Sequence, residues 1–243
     1  MKIKHKLCLL ACAMALLPLT ALANDRAATE QIVRDYLLEH PEVIREALGV
    51  LQQREAAAAE DTARRALAAH QDELLADPSS PVLGNPDGDV TIVEFFDYRC
   101  GYCKRVEPAI ESVLQRDGKV KLVLKELPIL GPESLLAAKS ALAAHKQGRY
   151  AELHAALMKA PATDLATIDA LATGLGLDMD KFRVDREAVM PILEKNHSLA
   201  NTLGINGTPA FVIGDRLLPG AADAAALGEL IAAVRASRQT LSK

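Results

Sequence analysis

The first third of this 243-residue chain is patterned as helix, because its apolar residues recur every three or four positions. A short helix is predicted over residues 29–38, before His40-Pro41 interrupts it, and Pro41 suits the first turn of a second helix. The second apolar stripe then continues through an alanine-rich stretch until Asp77-Pro78 ends it; it begins with Val43, Ile44, Ala47, Leu48 and Leu51. We therefore predict an N-terminal helical arm over residues 24–80.

The arm is too long for its apolar stripe to be hidden within a small domain. About 35 helical residues at about 1.5 Å each extend roughly 50 Å. Such a stripe has to be covered by the rest of the chain or by other copies of the arm. We favour self-association through residues 24–80, and the alternative is a solvated linker helix.

The pattern changes after Ser80-Pro81, where a strand at 91–96, a helix at 104–116 and a strand at 120–125 are predicted. A helical block broken by glycines and prolines follows, and the chain ends with strands at 210–213 and 216–218 and a helix at 223–236. The β-α-β segment at 81–131, the helical insertion at 132–198 and the β-β-α segment at 199–243 together predict an α/β protein. Its expected architecture is a thioredoxin fold with an inserted helical domain and an N-terminal helical arm.

The extreme N-terminus has the features of an export signal. Lys2, Lys4 and Lys6 precede the apolar stretch 7–17, which is too short to span a bilayer, and Ala21-Leu22-Ala23 matches a small-x-small cleavage site. We predict a signal peptide over residues 1–23. Because no second long apolar stretch follows, the cleaved protein is expected in the periplasm.

The cysteines indicate redox chemistry. Two of the four, Cys8 and Cys12, lie in the predicted signal peptide, so the mature chain keeps only Cys100-Gly101-Tyr102-Cys103. This motif joins a predicted strand to a predicted helix, and the N-terminal end of a helix stabilises a thiolate. We predict a thiol-disulfide oxidoreductase in which Cys100 is the nucleophile and Cys103 resolves the mixed disulfide. The plain alternative is an inert structural disulfide.

Composition excludes several other classes. A structural zinc site needs a second pair of ligands, which the spacing of cysteines and histidines does not offer, so no metal and no cofactor is predicted. The net charge is −4, and residues 24–80 hold twelve acidic residues against six arginines; no nucleic-acid partner is expected. His145, His154 and His197 are interpreted as surface or satisfied core residues.

Three separated motifs resemble the DsbA family of bacterial disulfide oxidoreductases. They are Phe95 to Lys104 around the cysteines with Pro108 beyond them, the segment from Lys125 to Pro132, and Gly207-Thr208-Pro209-Ala210-Phe211. Within the family, the arm segment from Tyr36 to Ile44 is most similar to the suppressor-of-copper-sensitivity protein C branch, some of whose members form trimers with isomerase activity. Gly101-Tyr102 departs from the Pro-His of DsbA and matches the isomerase DsbC.

The resemblance implies an activity and a set of partners. The expected activity is disulfide isomerase or reductase on cysteines of exported client proteins, with a DsbA-like dithiol oxidase or a Cu(I)-binding copper-tolerance protein as alternatives. It also implies a membrane redox partner that resets the cysteine pair, and a homo-oligomer, with a trimer favoured.

The resemblance also implies further site residues. The Thr208-Pro209 bond is expected to be cis, so that the backbone of Thr208 can pair with a client beside Cys100, and Tyr102 is expected to face the client. Glu94, on the strand before the motif, is the expected buried acid that exchanges protons with Cys103. Lys125 on the neighbouring strand is predicted to be the partner of Glu94.

Overall fold

The structure, a computed structural model, describes residues 19–241. Cys8, Cys12 and most of the predicted signal peptide therefore lie outside the described residues. The helices are α1 (Leu19–Glu39), α2 (Glu42–Ala69), α3 (Gln71–Leu75), α4 (Gly101–Asp117), α5 (Pro132–His145), α6 (Tyr150–Lys159), α7 (Leu165–Gly174), α8 (Met179–Ala188), α9 (Met190–Thr202) and α10 (Ala224–Leu241). The strands are β1 (Val82–Gly84), β2 (Val90–Phe96), β3 (Val120–Glu126), β4 (Ala210–Ile213) and β5 (Arg216–Pro219). Across residues 19–241, no helix is long and apolar enough to cross a membrane.

The chain divides into two compact units, one ending at Ala59 and the other beginning at Glu60. The first unit contains α1 and the first part of α2. The arm was expected to extend to residue 80, but residues 60–80 belong to the second unit. The reason is burial: Leu67 and Leu74 are almost completely enclosed in an apolar cluster with residues of the sheet.

The second unit is organised around a five-stranded sheet in the order β1-β3-β2-β4-β5. The β2 and β3 strands are parallel, as a β-α-β connection through α4 requires, and the other neighbours are antiparallel. The helices α5 to α9 form the insertion between β3 and β4. This arrangement confirms the predicted thioredoxin fold with an inserted helical domain. The edge strand β1 is an addition that the sequence pattern did not predict.

Two apolar layers cover the sheet, and alternation along each strand assigns the residues to them. Ile92, Phe96 and Leu124 belong to the layer that includes α4 and α10. Val93, Phe95 and Val123 belong to the opposite layer, with Leu67 and Leu74. Because both faces are covered, the central strands are apolar almost throughout, as parallel strands usually are. Glu94, Lys125 and Glu126 are the buried polar exceptions.

Lys125 lies in the layer opposite to Glu94, which corrects the predicted partnership. In the β2–β3 register, Glu94 is paired with Leu124 and Lys125 with Phe95, so the two charged side chains leave the sheet on opposite faces. The Lys125 ammonium instead donates to the Asp77 carboxylate at 3.2 Å and the Ser80 hydroxyl at 2.7 Å. It also donates to the Glu73 carbonyl. Lys125 therefore fastens residues 73–80 to the sheet.

Lys125→Met is expected to destabilise the second unit by about 3 kcal/mol or more, because it leaves a buried carboxylate without its buried cation. Both side chains of the pair are nearly inaccessible. Lys195→Met is the matched control, since Lys195 is 3.2 Å from the same Asp77 oxygen but is 44% exposed; its expected cost is below about 1 kcal/mol. Urea unfolding of both variants measures the difference. Equal losses of unfolding free energy would contradict the conclusion that Lys125 attaches residues 73–80 to the sheet.

Candidate active site

The redox motif lies where β2 ends and α4 begins. Cys100 is the N-cap residue of α4 with extended backbone, so the first amide groups of the helix point toward its side chain. The preceding turn is held by Asp97, whose carboxylate accepts hydrogen bonds from the amides of Arg99, Ile129 and Leu130. Asp97 thus fixes the cysteine turn and the loop after β3 against one another.

The Cys100 thiol lies against the segment that precedes β4. It donates a hydrogen bond of 3.2 Å to the carbonyl oxygen of Thr208, and the Thr208-Pro209 peptide bond is cis. Burial by itself raises the pKa of Cys100, but hydrogen bonds from the Thr208 side chain and from the first turn of α4 outweigh it and lower the pKa below its ordinary value. Cys100 is therefore the thiol that ionises more readily.

Cys103, one turn deeper in α4, is fully buried. Burial raises its pKa far above that of an ordinary thiol; a hydrogen bond from the Asp97 backbone opposes this, and the negative charges at Glu94 and Cys100 add to it. The two sulfurs therefore differ: Cys100 is disposed to be a thiolate and Cys103 to remain protonated.

Glu94 is a completely buried acid beside the cysteine pair. Burial raises its pKa well above the ordinary value, and the charges of Glu107, Glu126 and Cys100 raise it further. Across the described part of the chain, neither of its carboxylate oxygens has a hydrogen-bond partner. An unpaired buried carboxyl of this kind is stable in its protonated form and can take up or release a proton beside a thiol.

The rim of the site is apolar and positively charged. Tyr102 is 59% exposed, and the guanidinium of Arg105 lies 4.2 Å from its ring centroid. Ile129 and Leu130 are also exposed. Lys104, in the first turn of α4, donates to the Ala160 carbonyl.

Several buried polar residues near the site were not predicted. Glu107, Glu126, Tyr98, Tyr150 and His154 are all less than 10% exposed and are joined by hydrogen bonds and an ion pair. Glu107 follows Cys103 by four residues, a spacing that places both on one helix face and could have identified it. His154 and Tyr150 carried no such signal, because they reach the site only through the docking of the insertion. No cluster that could hold a metal ion occurs within the part of the chain that the structure describes.

Thr208→Val tests the contact with Cys100, because it removes a hydroxyl with little change in volume. Without the hydrogen bond from the Thr208 hydroxyl, the pKa of Cys100 is expected to rise. Less thiolate is then present at pH 7, and the reduced form becomes less stable relative to the disulfide. The expected result is a more negative reduction potential in a glutathione equilibrium, with an unchanged melting temperature. An unchanged potential together with unchanged client turnover would remove Thr208 from the site.

A dithiol at a helix N-terminus, facing a cis-proline segment across the end of a thioredoxin sheet, defines a thiol-disulfide oxidoreductase fold. Comparison with family models specifies it further: residues 91–232 match the DSBA-like thioredoxin domain, and residues 25–58 match the N-terminal domain of the copper resistance protein ScsC. The chain belongs to the DSBA-like thioredoxin family, and its N-terminal part is of the ScsC type.

Solved structures agree with this assignment. A thioredoxin-like oxidoreductase from Silicibacter pomeroyi is 42% identical, with a TM-score of 0.66, and the match covers 68% of this chain and 96% of that one. A linker-deletion variant of Proteus mirabilis ScsC is 31% identical, with a TM-score of 0.65, and the match covers 93% of this chain and 100% of that one. The catalytic domain of the same ScsC is 35% identical, with a TM-score of 0.66, and the match covers 71% of this chain and 98% of that one.

Curated relatives include proteins of other overall organisation. The chain is 34% identical over 142 residues to the Na⁺/H⁺ antiporter NhaA 3 of Salinispora tropica, which covers 56% of this chain but only 22% of that protein. The chain thus spans about a fifth of the length of that relative. Disulfide bond formation protein D of Bacillus subtilis is 29% identical, with coverage of 59% of this chain and 71% of that protein.

Proposed function

We propose that this protein catalyses thiol-disulfide exchange on cysteines of exported proteins in the periplasm, acting mainly as a disulfide isomerase and reductase. The observation that carries the proposal is the position of Cys100: it is the N-cap of α4, its thiol contacts the Thr208 carbonyl, and its pKa is lowered. Cys103 and Glu94 lie behind it in the protein interior.

The reaction begins with the Cys100 thiolate attacking one sulfur of a client disulfide. A Cys100–client bond forms, and the second client sulfur leaves as a thiolate. Cys103 then attacks Cys100, with the ionised form of Glu94 accepting its proton, which releases the client as a dithiol and leaves the cysteine pair oxidised by two electrons. In isomerisation, a client thiolate attacks the mixed disulfide instead, so Cys100 is released as a thiolate and no net oxidation occurs.

The dipeptide between the cysteines favours isomerase and reductase activity over strong oxidation. Gly101-Tyr102 supplies no imidazolium, so the Cys100 thiolate is stabilised by hydrogen bonds and not by an adjacent formal charge. A less stabilised thiolate makes the disulfide form of the pair a weaker oxidant, because it lowers the stability of the reduced state. The exposed Tyr102 ring and the backbone of Thr208 are the groups that we expect a client to contact.

We also propose that the first unit assembles copies of the chain, with a trimer favoured. Its large apolar side chains are about half exposed or more, among them Ile32, Tyr36, Leu38, Ile44, Leu48 and Leu51. Several of the unit's residues, including Val33, Leu37, Leu38 and Ile44, line an open cleft of about 780 Å³ between α1 and α2. Exposed apolar surface of this extent is typical of an interaction site.

Insulin reduction and refolding of a scrambled disulfide protein test the proposed function together. The mature protein is expected to accelerate both reactions when a small thiol or a membrane reductant keeps the pair reduced. Oxidation of a reduced client without reactivation of the scrambled one would favour a DsbA-like oxidase. Inactivity in all three assays would contradict the proposal.

A second candidate function is Cu(I) binding, which the match of residues 25–58 to the copper resistance protein ScsC supports. Two adjacent cysteine sulfurs are suitable soft ligands, and Cys100 and Cys103 would hold the ion. Titration of the reduced protein with Cu(I) against a competing chelator measures the affinity. Cys100→Ala is the control, and equal affinity of this variant would exclude the cysteine pair as the copper site.

A further inference from the structure

A buried polar cluster lies behind Cys103 and joins three parts of the fold. Glu107 comes from α4, Glu126 from the end of β3 and Tyr98 from the turn just after β2, whereas Tyr150 and His154 come from α6 of the insertion. All five are less than 10% exposed. The exchange reaction described above does not use His154, which the sequence analysis had interpreted as a surface or core residue.

The hydrogen bonds of the cluster determine where its protons lie. Tyr98 donates its hydroxyl proton to Glu126 Oε1 at 3.1 Å. In the His154 tautomer that fits this arrangement, Nδ1, which is 2.9 Å from the Tyr98 oxygen, is the donor to Tyr98. Tyr150 donates to the same Glu126 oxygen at 2.8 Å and stacks on the His154 ring. The Nδ1 proton of His154 is thereby committed to Tyr98.

The other nitrogen of His154 faces a carboxyl group. Nε2 lies 3.4 Å from Glu107 Oε1, with both side chains nearly inaccessible to water. A lone pair on each atom would be repulsive in this setting, so one proton lies between them. It is carried either by the imidazole, as an ion pair, or by the carboxyl, as a neutral pair. In both forms the net charge of the pair is zero.

That net charge matters because Glu107 is close to the redox centre. Glu107 follows Cys103 by one helical turn, its charge raises the pKa of Glu94, and the charge of Glu94 raises the pKa of Cys103. Like charges in a desolvated space oppose each other's ionisation strongly. A permanent negative charge at Glu107 would therefore hold the protons on Glu94 and Cys103 and hinder the resolving step.

We propose that His154 is a positioning residue for the resolving step at Cys103, and that it acts by sharing one proton with Glu107 and so removing negative charge from beside Glu94. The inference rests on the proposed exchange function, and it gives the helical insertion a part in the chemistry. The other ionisable groups around the pair are Tyr98, Tyr150, Glu126, Glu94 and Cys103, together with Lys104, which bonds the Ala160 carbonyl, and His145, which packs edge-on against Tyr150.

The test uses the full mature chain, reduced and mixed with an excess of dithiobis-nitrobenzoate. The first nitrothiophenolate is released when Cys100 attacks the reagent, and the second is released when Cys103 resolves the mixed disulfide. For His154→Phe we expect the second phase to slow about three- to tenfold at pH 7. A higher pKa of Cys103 lowers its thiolate fraction by more than it raises the nucleophilicity of the thiolate. The pH midpoint of the second phase is expected to rise by about one unit or more. The first phase is expected to change less than twofold.

Glu107→Gln separates a charge effect from a structural one. Without the carboxylate there is no charge for His154 to offset, so Glu107→Gln alone and Glu107→Gln/His154→Phe are both expected to resolve within twofold of wild type. Failure of the double variant to recover would overturn the inference, as would equal slowing of both phases in His154→Phe. Slow resolution in Glu107→Gln alone would also overturn it, because Glu107 would then move the proton itself.

Two controls keep the outcome interpretable. Thermal melting checks that each variant is folded, and His154→Gln takes the place of His154→Phe if the latter does not fold. Wild-type protein that neither reduces insulin nor shows two phases would contradict the proposed function. Normal wild-type behaviour with an unaffected His154→Phe variant would contradict the role of His154 alone.

Discussion

Cys100→Ala is expected to abolish exchange, whereas Cys103→Ala is expected to convert the enzyme into a trap that accumulates mixed disulfides with its clients. The difference follows from the two environments. Cys100 has the lowered pKa and contacts Thr208, while Cys103 is fully buried and has a strongly raised pKa. Without Cys103 the Cys100–client bond still forms, but the internal step that breaks it is lost.

Non-reducing electrophoresis of both variants after incubation with a scrambled client measures this difference. Cys103→Ala is expected to give mixed-disulfide adducts that a reducing agent cleaves, and Cys100→Ala is expected to give none. Cys103→Ser is a useful companion because it keeps a polar group at the buried position. Adducts formed by Cys100→Ala at a comparable rate would show that the assigned roles are reversed.

Leu48→Glu is expected to dissociate the assembly and to remove isomerase activity while insulin reduction is retained. Leu48 is 53% exposed on α2, within the first unit. If copies pack through this surface, the substitution buries a charge without a partner, which costs several kcal/mol and exceeds what a small helical interface can offset. Isomerisation needs a client to be held while bonds are rearranged, and a monomer is expected to release it.

Light scattering and scrambled-client refolding on the same samples test the assembly. Gln53→Glu is the matched control, because it places the same charge at an exposed polar position of α2. Deletion of residues 24–58 is expected to reproduce Leu48→Glu. This deletion stops before Glu60, because Leu67, Leu74 and Asp77 are built into the second unit. Full-length mature protein that is monomeric at micromolar concentration would contradict the assembly.

Most of the fold followed from local pattern. The apolar runs at 91–96 and 120–125 became β2 and β3, and the periodic segments of the insertion became α5 to α9. The strand β1 was missed because it is only three residues long and lies at the sheet edge, where half-exposed residues leave no alternation to detect. The end of the arm was missed for a different reason: helical periodicity shows that Leu67 is apolar but not which surface covers it.

The site was predicted less completely than the fold. Cys100, Cys103 and Glu94 were recognisable because strand, turn and helix place them within ten residues of one another. The predicted partner of Lys125 was wrong because strand alternation was not followed through: Lys125 pairs with Phe95, one residue from Glu94, and successive residues of a strand point to opposite faces. His154 and Tyr150 depend on tertiary docking over more than fifty residues, which single-sequence patterns do not encode.

The central claim is that Cys100 is the nucleophile and Cys103 its more deeply buried resolving partner. Alkylation of the reduced mature protein with iodoacetamide across a pH series, with mass-spectrometric identification of the modified residue, tests it most directly. We predict that Cys100 is modified first at every pH, with a midpoint below the ordinary thiol value of 9.0. Faster modification of Cys103, or a Cys100 midpoint above that value, would contradict the account.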